Sequence, residues 1–469
     1  MRFIRFFTAA LCLALLFTSA MPASAVMSQS QGCYSVDAAI PLDGTEKLLE
    51  TSKAVVLYER NTGTLIYGYN LDRQIYPASM VKIMTTIVAL ENGNMDDIVT
   101  VTRSALDAVA IGSVSAHLVR GEQLRLEDLL YLNMVASAND ASAVIAEHIG
   151  GSQEEFVQMM NQKALEIGCT GTHFSNAHGL HHEQTYTTAR DVLKMVEYGL
   201  QNEQFRKMFE TESYVVPATE LSEERKATTT NYMMNNRKYL DERVTGGKTG
   251  ATDQAGRCLV VTANVGNMEL VAIVMGAEAV YSEDGYEVLH FGSFEEMKVL
   301  LDHAQASYEC KQLFYTGQVI DRYAVSEGSD VAVTPADTLK VVLPKETTAD
   351  ELSWRYEGAI SGLKAPIPAG QRITDISVWY NGICIGQTDL VAMHSVAPYV
   401  QNVIPDRTEE QEEQAVGRLI LMILGGILGM ALLGAAGFVL FRVIQTAVIK
   451  AKIRRRRKNR RRNRNARVG

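Results

Sequence analysis

Three short clusters in this chain carry residue types suited to nucleophilic chemistry. The first is Ser79-Met80-Val81-Lys82. Residues three apart on a helix share a face, so the lysine amine can reach the serine hydroxyl. A serine becomes nucleophilic when a base takes its proton. A lysine whose pKa is lowered by burial and a second cation can be that base. The second cluster is Ser137-Ala138-Asn139, just before a helical run opening at Asp140. Ser137 can relay a proton to a leaving group, and Asn139 can fix the lysine or hold a substrate amide. The same tripeptide is also an ordinary helix N-cap, which is its default reading in isolation. The third is Lys248-Thr249-Gly250, preceded by Gly246-Gly247. Lys248 supplies positive charge, Thr249 a hydroxyl for a carboxylate, and Gly250 room for close backbone approach. Each cluster alone is weak. In this order, 58 and then 111 residues apart, they would bring a nucleophile, a base, a proton relay and a carboxylate-binding hydroxyl into one chain.

The elements that must position them read as follows. Lys53 to Asn70 is a hairpin, with Ala54-Val55-Val56-Leu57-Tyr58 returning through Leu65-Ile66-Tyr67 after a turn at Asn61-Thr62-Gly63. Met80, Ile83, Met84 and Ile87 repeat on a helical face, with Pro77 just ahead, so Ser79 lies at a helix N-terminus. Further helices are expected around Leu124–Val135, Ala141–His148, Glu154–Ile167 and Thr188–Tyr198. Cys258 to Ala263 and Met268 to Met275 read as two strands, with Lys248-Thr249-Gly250 leading into the first. Residues 285–306 read as a closing helix. Strands first, helices in the middle and strands last imply an α/β (α+β) domain whose sheet is built from both ends and holds a helical insert. Beyond Gln312 short strands (Val331 to Val333, Leu339 to Leu343, Ile376 to Tyr380) suggest a small all-β domain over 312–400. No internal repeat is present.

The chain ends carry a different signal. Arg2 and Arg5, an apolar run from Phe6 to Phe17 and Ala23-Ser24-Ala25 describe a signal peptide over 1–25. The run falls short of the roughly 20 residues an uncleaved span needs. Residues 401–417 read as an acidic stalk, 418–441 as a transmembrane helix and 442–469 as a basic tail with 13 Lys or Arg. Positive charge stays inside, so the tail is expected in the cytoplasm and the remainder outside a single-pass anchor. Beside a span, such a tail reads as an orientation signal and a contact for anionic lipid rather than for nucleic acid. Residues 26–441 carry 30 basic against 54 acidic residues, which disfavours a polyanion partner. Five cysteines follow the signal, with no C-x-x-C pair, so a zinc or redox site is not indicated.

Serine with lysine, then S-x-N, then K-T-G resembles penicillin-binding proteins and class A β-lactamases. A closer likeness lies in Tyr76-Pro77-Ala78-Ser79-Met80-Val81-Lys82-Ile83-Met84-Thr85, Ala138-Asn139-Asp140-Ala141 and Asn176-Ala177-His178-Gly179-Leu180. Tyr186-Thr187-Thr188-Ala189-Arg190-Asp191 and Gly247-Lys248-Thr249-Gly250-Ala251-Thr252 extend it. These stretches resemble the low-molecular-mass penicillin-binding proteins of the serine-type D-Ala-D-Ala carboxypeptidase family, the penicillin-binding protein 5-like group. The likeness implies a β-lactamase/transpeptidase-like catalytic domain over 37–306. Ala365-Pro366-Ile367-Pro368-Ala369-Gly370-Gln371 weakly resembles that family's β-rich C-terminal domain.

The resemblance implies that Ser79 attacks the carbonyl between two terminal D-alanines of a peptidoglycan stem peptide and Lys82 takes its proton. Ser137 passes a proton to the departing D-Ala, while Asn139 orients substrate and Lys82. Lys248 and Thr249 handle charge and carboxylate beside Gly250, and the N–H groups of Ser79 and Ala251 form the oxyanion hole. Water then hydrolyses the acyl-enzyme, and β-lactams stall there as covalent inhibitors. No cofactor or metal is implied. The sequence departs from the family in two places. Ala177 stands where proline is usual. Some members also bind the substrate carboxylate with an arginine upstream of K-T-G, whereas Thr230-Asn231-Tyr232 offers none, leaving Arg237 or Arg257 as substitutes. His173, His178, His181, His182 and Glu183 cluster in sequence but lack the H-E-x-x-H arrangement of a helical zinc site. The competing readings are a class A-like β-lactamase, a non-catalytic penicillin-binding sensor or scaffold, and a transpeptidase or endopeptidase.

Overall fold

Strand β1 (Ala54–Glu59) is apolar at nearly every position and buried throughout, so it needs a core on both faces. It has one. Ala54, Val56 and Tyr58 point into a helical layer, while Val55 and Leu57 point into a second cluster on the other side. The computed structural model describes residues 36, 39–44, 46–283, 288–357, 360–399 and 409–465. The expected signal peptide lies outside the described residues.

β1 belongs to a five-stranded antiparallel sheet in the order β2-β1-β5-β4-β3, with β5 at its centre. The others are β2 (Thr64–Tyr69), β3 (Val244–Thr252), β4 (Gly256–Val265) and β5 (Met268–Ala277). The helical insert lies between β2 and β3 in sequence. It contains α1 (Val81–Asn92), α2 (Leu126–Met134), α3 (Asn139–Gly150), α4 (Gln153–Glu166), α5 (Ala189–Gly199) and α6 (Glu203–Phe209). α1 is buried along almost its whole length and packs against α2, α3, α4 and α5. The opposite sheet face is covered by α7 (Gly292–Ser307), through Phe294, Met297, Leu300 and Leu301.

Three local readings are corrected. Lys248-Thr249-Gly250 does not merely lead into a strand. It lies within β3, the edge of the main sheet, paired with β4 in the register Lys248↔Val260 and Gly250↔Cys258. Closing helix α7 begins at Gly292, because Val288–Phe291 is a short strand paired with Ala279–Tyr281. The tripeptide at 137–139 is not a side-chain cap: the N-cap of α3 is Ala138 and makes no such bond.

Chain continues from α7 directly into a β-rich domain. Its strands are β6 (Tyr308–Phe314), β7 (Asp321–Tyr323), β8 (Val331–Pro335), β9 (Leu339–Pro344), β10 (Leu352–Tyr356), β11 (Arg372–Tyr380) and β12 (Ile383–Ala392). Five form a sheet in the order β7-β8-β12-β11-β10, and β6 pairs with β9. Val342 of β9 enters the cluster under α7, and the Asn267 side chain bonds both N–H and C=O of Cys310, at 3.0 and 2.6 Å. Cys169 and Cys258 are buried, and Cys384 is disulfide-bonded.

The remaining unit is one helix, α8 (Glu409–Asn465). Over Glu412–Arg456 it contains a window of mean hydropathy 2.4 in which no residue is buried, so by length and composition it can cross a membrane. The end of the expected stalk is part of this helix, the segment 409–417 being helical.

Candidate active site

Ser79 sits in a single 3-10 turn, Ala78–Met80, that feeds α1. Two other segments press on that turn. A Cβ built on Gly250 would lie 2.7 Å from the Pro77 carbonyl oxygen, so β3 approaches the turn as only glycine permits. A Cβ on Gly179, whose φ is +82°, would lie 2.1 Å from the Ala78 carbonyl oxygen, so the 176–180 loop closes the other side. Ala78 (φ 48°) and Ser137 (φ 59°) both occupy the left-handed region, which disfavours side chains and clusters at functional sites.

One turn along, Lys82 is fully buried. Its Nζ stands 3.1 Å from Ser79 Oγ, 2.7 Å from Asn139 Oδ1 and 2.5 Å from the His178 carbonyl oxygen. The last two oxygens can only accept. An uncharged amine has two hydrogens and one lone pair; with both hydrogens given to Asn139 and His178, the lone pair is left for the Ser79 hydroxyl. Burial drives the Lys82 pKa well below the usual lysine range, the neighbouring Lys248 lowers it further, and the Asp140 carboxylate opposes them.

Lys248 is also buried, on β3. Its Nζ donates to Ser137 Oγ at 2.9 Å and to the Thr249 carbonyl oxygen at 3.1 Å. Burial alone lowers its pKa to about 7. Ser79, Lys82, Ser137, Asn139 and Lys248, from three separate segments, therefore form one group. Thr249, Gly250 and Ala251 follow on the same strand, with Thr249 half-buried and Ala251 exposed. The Thr249 hydroxyl makes a close contact with that of Thr230.

Sequence reasoning missed several supports. Asp140 accepts from Ser115 Oγ (2.6 Å) and from the N–H groups of Ala116 (2.9 Å) and Leu118 (3.1 Å), which folds the 113–118 segment beside Asn139. The Asn139 N–H donates to Val114 O at 2.8 Å. The His178 carbonyl as a lysine acceptor left no signal in residue type. Its imidazole is buried, accepts from the Leu180 N–H at 3.2 Å, and has its pKa lowered to about 4 by burial and then by Lys82. The other histidines of that loop have separate partners: His173 the Gln184 carbonyl, His181 the Tyr76 ring and His182 the Gln184 N–H. Of the two arginines considered for a carboxylate, Arg237 is exposed. Arg257 lies over the Tyr281 and Phe291 rings and bonds the Tyr281 hydroxyl at 2.9 Å.

A sheet holding a mainly helical insert that also carries two short strand pairs (Ile98–Thr100 with Gln123–Arg125, Ser213–Val216 with Arg225–Thr228), with a serine and a lysine at their seam and K-T-G on the facing edge strand, defines a serine peptidase of penicillin-binding-protein-like fold. Residues 44–279 match the family D-alanyl-D-alanine carboxypeptidase, and residues 308–398 match the penicillin-binding protein 5 C-terminal domain. The chain is 30% identical over 359 residues to D-alanyl-D-alanine carboxypeptidase DacF of Bacillus subtilis (strain 168), covering 74% of this chain and 86% of that protein. It is 31% identical over 358 residues to DacA of Haemophilus influenzae, covering 74% and 85%. Among solved structures it resembles penicillin binding protein 5 from Haemophilus influenzae, with TM-score 0.60 and 28% identity over 76% of this chain and all of that one. Penicillin binding protein 6B from Escherichia coli gives 0.56 and 25% over 75% and 98%. The chain belongs to the D-alanyl-D-alanine carboxypeptidase family of serine peptidases.

Proposed function

We propose that this enzyme removes the terminal D-alanine from peptidoglycan stem peptides through an acyl-enzyme on Ser79. The observation that carries the reading is the Lys82 amine, buried and 3.1 Å from Ser79 Oγ, with its other two contacts made only by acceptors. Lys82 takes the Ser79 proton as Oγ attacks the carbonyl between the last two D-alanines. The oxyanion forms against the N–H groups of Ser79 and Ala251, fixed dipoles that need no rearrangement. The protonated Lys82 returns its proton through Ser137 to the leaving nitrogen, so D-alanine departs as a neutral amine and the ester remains. Lys248 holds Ser137 by its hydroxyl and supplies charge for the substrate carboxylate, with Thr249. Water then attacks the ester, again with Lys82 as base. A β-lactam ring opens by the same attack, but its leaving group stays tethered and keeps water out, which makes such compounds covalent inhibitors.

α8 anchors the protein as a single span in this reading. The acids Glu409, Glu410, Glu412 and Glu413 flank one end of its apolar run, and Arg454 to Lys458 the other. Positive-inside bias puts the basic end in the cytoplasm and the catalytic and β domains outside, facing the wall. No cofactor takes part in this scheme and nucleic acid is not a partner.

The test is free D-alanine release from a soluble pentapeptide ending in D-Ala-D-Ala, using the full chain in detergent beside Ser79→Ala. Release that disappears in the variant is the expected result. Absence of release from the parent chain, with labelled penicillin still bound at Ser79, would instead assign a transpeptidase or a sensor; rapid penicillin turnover would assign a β-lactamase.

A further inference from the structure

Thr230 is a residue that the three clusters do not include, yet its hydroxyl rests on the Thr249 hydroxyl of β3. Its position is fixed from both sides. Thr229, on one side, accepts the Asn231 N–H at 3.2 Å and, through its carbonyl, the Asn235 amide at 3.0 Å. Asn231, on the other, is fully buried and caps the short helix Tyr232–Asn235 by accepting the Met233 N–H at 3.1 Å. Asn231 also packs on β3 itself, since a Cβ on Gly247 would come within 2.7 Å of its Nδ2. Thr230 is thus presented by a tight Asx turn clamped to β3, and it stays partly exposed.

Two touching hydroxyls carry two hydrogens. One is shared between the oxygens and the other is left to donate outward, polarised by the first bond. A carboxylate has two acceptor oxygens; when it binds, the bond between the hydroxyls opens and each turns its hydrogen to one of them. Among the described residues no guanidinium bonds Thr249, and Lys248 behind it is committed to Ser137 and the Thr249 carbonyl. We infer that Thr230 and Thr249 together form the receptor for the C-terminal carboxylate of the departing residue, with Thr230 as a further substrate-binding and specificity-determining group. This rests on the carboxypeptidase reading above and adds the residue that distinguishes a free terminus from a blocked one.

The experiment compares the parent chain, Thr230→Val and Thr230→Ser on two substrates: an acyl-D-Ala-D-Ala peptide with a free C-terminus and the same peptide as its C-terminal amide. Loss of one hydrogen bond to a charged group is worth about 1.5 kcal/mol, or roughly tenfold. The expected result is a KM raised about tenfold by Thr230→Val on the free acid, little change in kcat or in the amide's kinetics, and recovery with Thr230→Ser. An unchanged KM, or equal losses on acid and amide, overturns the inference. If the valine variant does not fold, Thr230→Ala takes its place. D-alanine release by the parent chain with no effect at Thr230 removes this inference alone; no release by the parent removes the reading beneath it.

Discussion

Replacing Asn139 by aspartate changes one atom and one charge beside the base. Asn139 Oδ1 lies 2.7 Å from Lys82 Nζ, and both side chains are buried. At an effective dielectric of about 20, unit charges at that separation attract by about 6 kcal/mol. Burying the new carboxylate takes back several kcal/mol of this. A net of about 2–3 kcal/mol in favour of protonated Lys82 is therefore expected, which suppresses the free base roughly 30- to 150-fold near neutral pH. The sign follows from the chemistry: an anion stabilises the ammonium form, so the Lys82 pKa rises and the acid limb of the acylation profile moves to higher pH. The assay is the second-order rate of labelling by a fluorescent penicillin from pH 6 to 10. Taking the ratio of variant to parent at each pH cancels the common titration of Lys248. The deficit should shrink about tenfold per pH unit as alkaline conditions restore the free amine. A variant acylated at the parent rate, or one whose deficit is the same at every pH, would refute the assignment of neutral Lys82 as base.

Other outcomes follow from the same geometry. Lys248 binds a proton in the unfolded chain up to its ordinary pKa but in the fold only up to about 7, so native stability rises with pH above 7 as the unfolded state holds the extra proton. Lys248→Met should therefore melt above the parent near pH 7, with the gap narrowing toward pH 10, while its carboxypeptidase activity is lost; a widening gap would contradict this. Gly250→Ala places a Cβ 2.7 Å from the Pro77 carbonyl oxygen; it should cost about 1–3 kcal/mol in urea unfolding and slow penicillin acylation more than it lowers stability. His178, held neutral with a pKa of about 4, opposes acid: stability should fall as pH drops from 6.5 to 4, by up to about 3 kcal/mol. His178→Asn should flatten that portion of the curve, measured by thermal melting.

The clustered residues Ser79, Lys82, Ser137, Asn139 and Lys248 could be read from the sequence because their types are rare in combination and their order is informative. Ser79 and Lys82 come together by helical spacing alone. Their supports could not be read in this way. β3 reads Val-Thr-Gly-Gly-Lys-Thr-Gly-Ala-Thr, poor in branched apolar residues and without alternation, so its strand identity comes from pairing with β4 rather than from propensity. The His178 carbonyl and the Val114 carbonyl are backbone atoms, and no side-chain pattern announces them. Thr230 is one of three consecutive threonines, 228–230, and only the Asx turn at Asn231 selects which hydroxyl meets Thr249. Ser137-Ala138-Asn139 shows the opposite error: its local chemistry favours a cap, but Asn139 is taken by a lysine 57 residues away.

The sheet order carries a consequence for how the enzyme comes into being. β1 leaves the synthesis machinery early, but its neighbour β5 lies more than 200 residues later, in the register Val55↔Val274. Closing so long a loop precedes any reward from pairing, so the domain belongs among slow folders of high contact order. Until that closure Ser79 has neither Gly250 against its turn nor Lys248 near its base. On the proposed mechanism, the growing chain thus holds Ser79 in an unarmed state, and reactivity switches on only when the last strand of the catalytic sheet arrives.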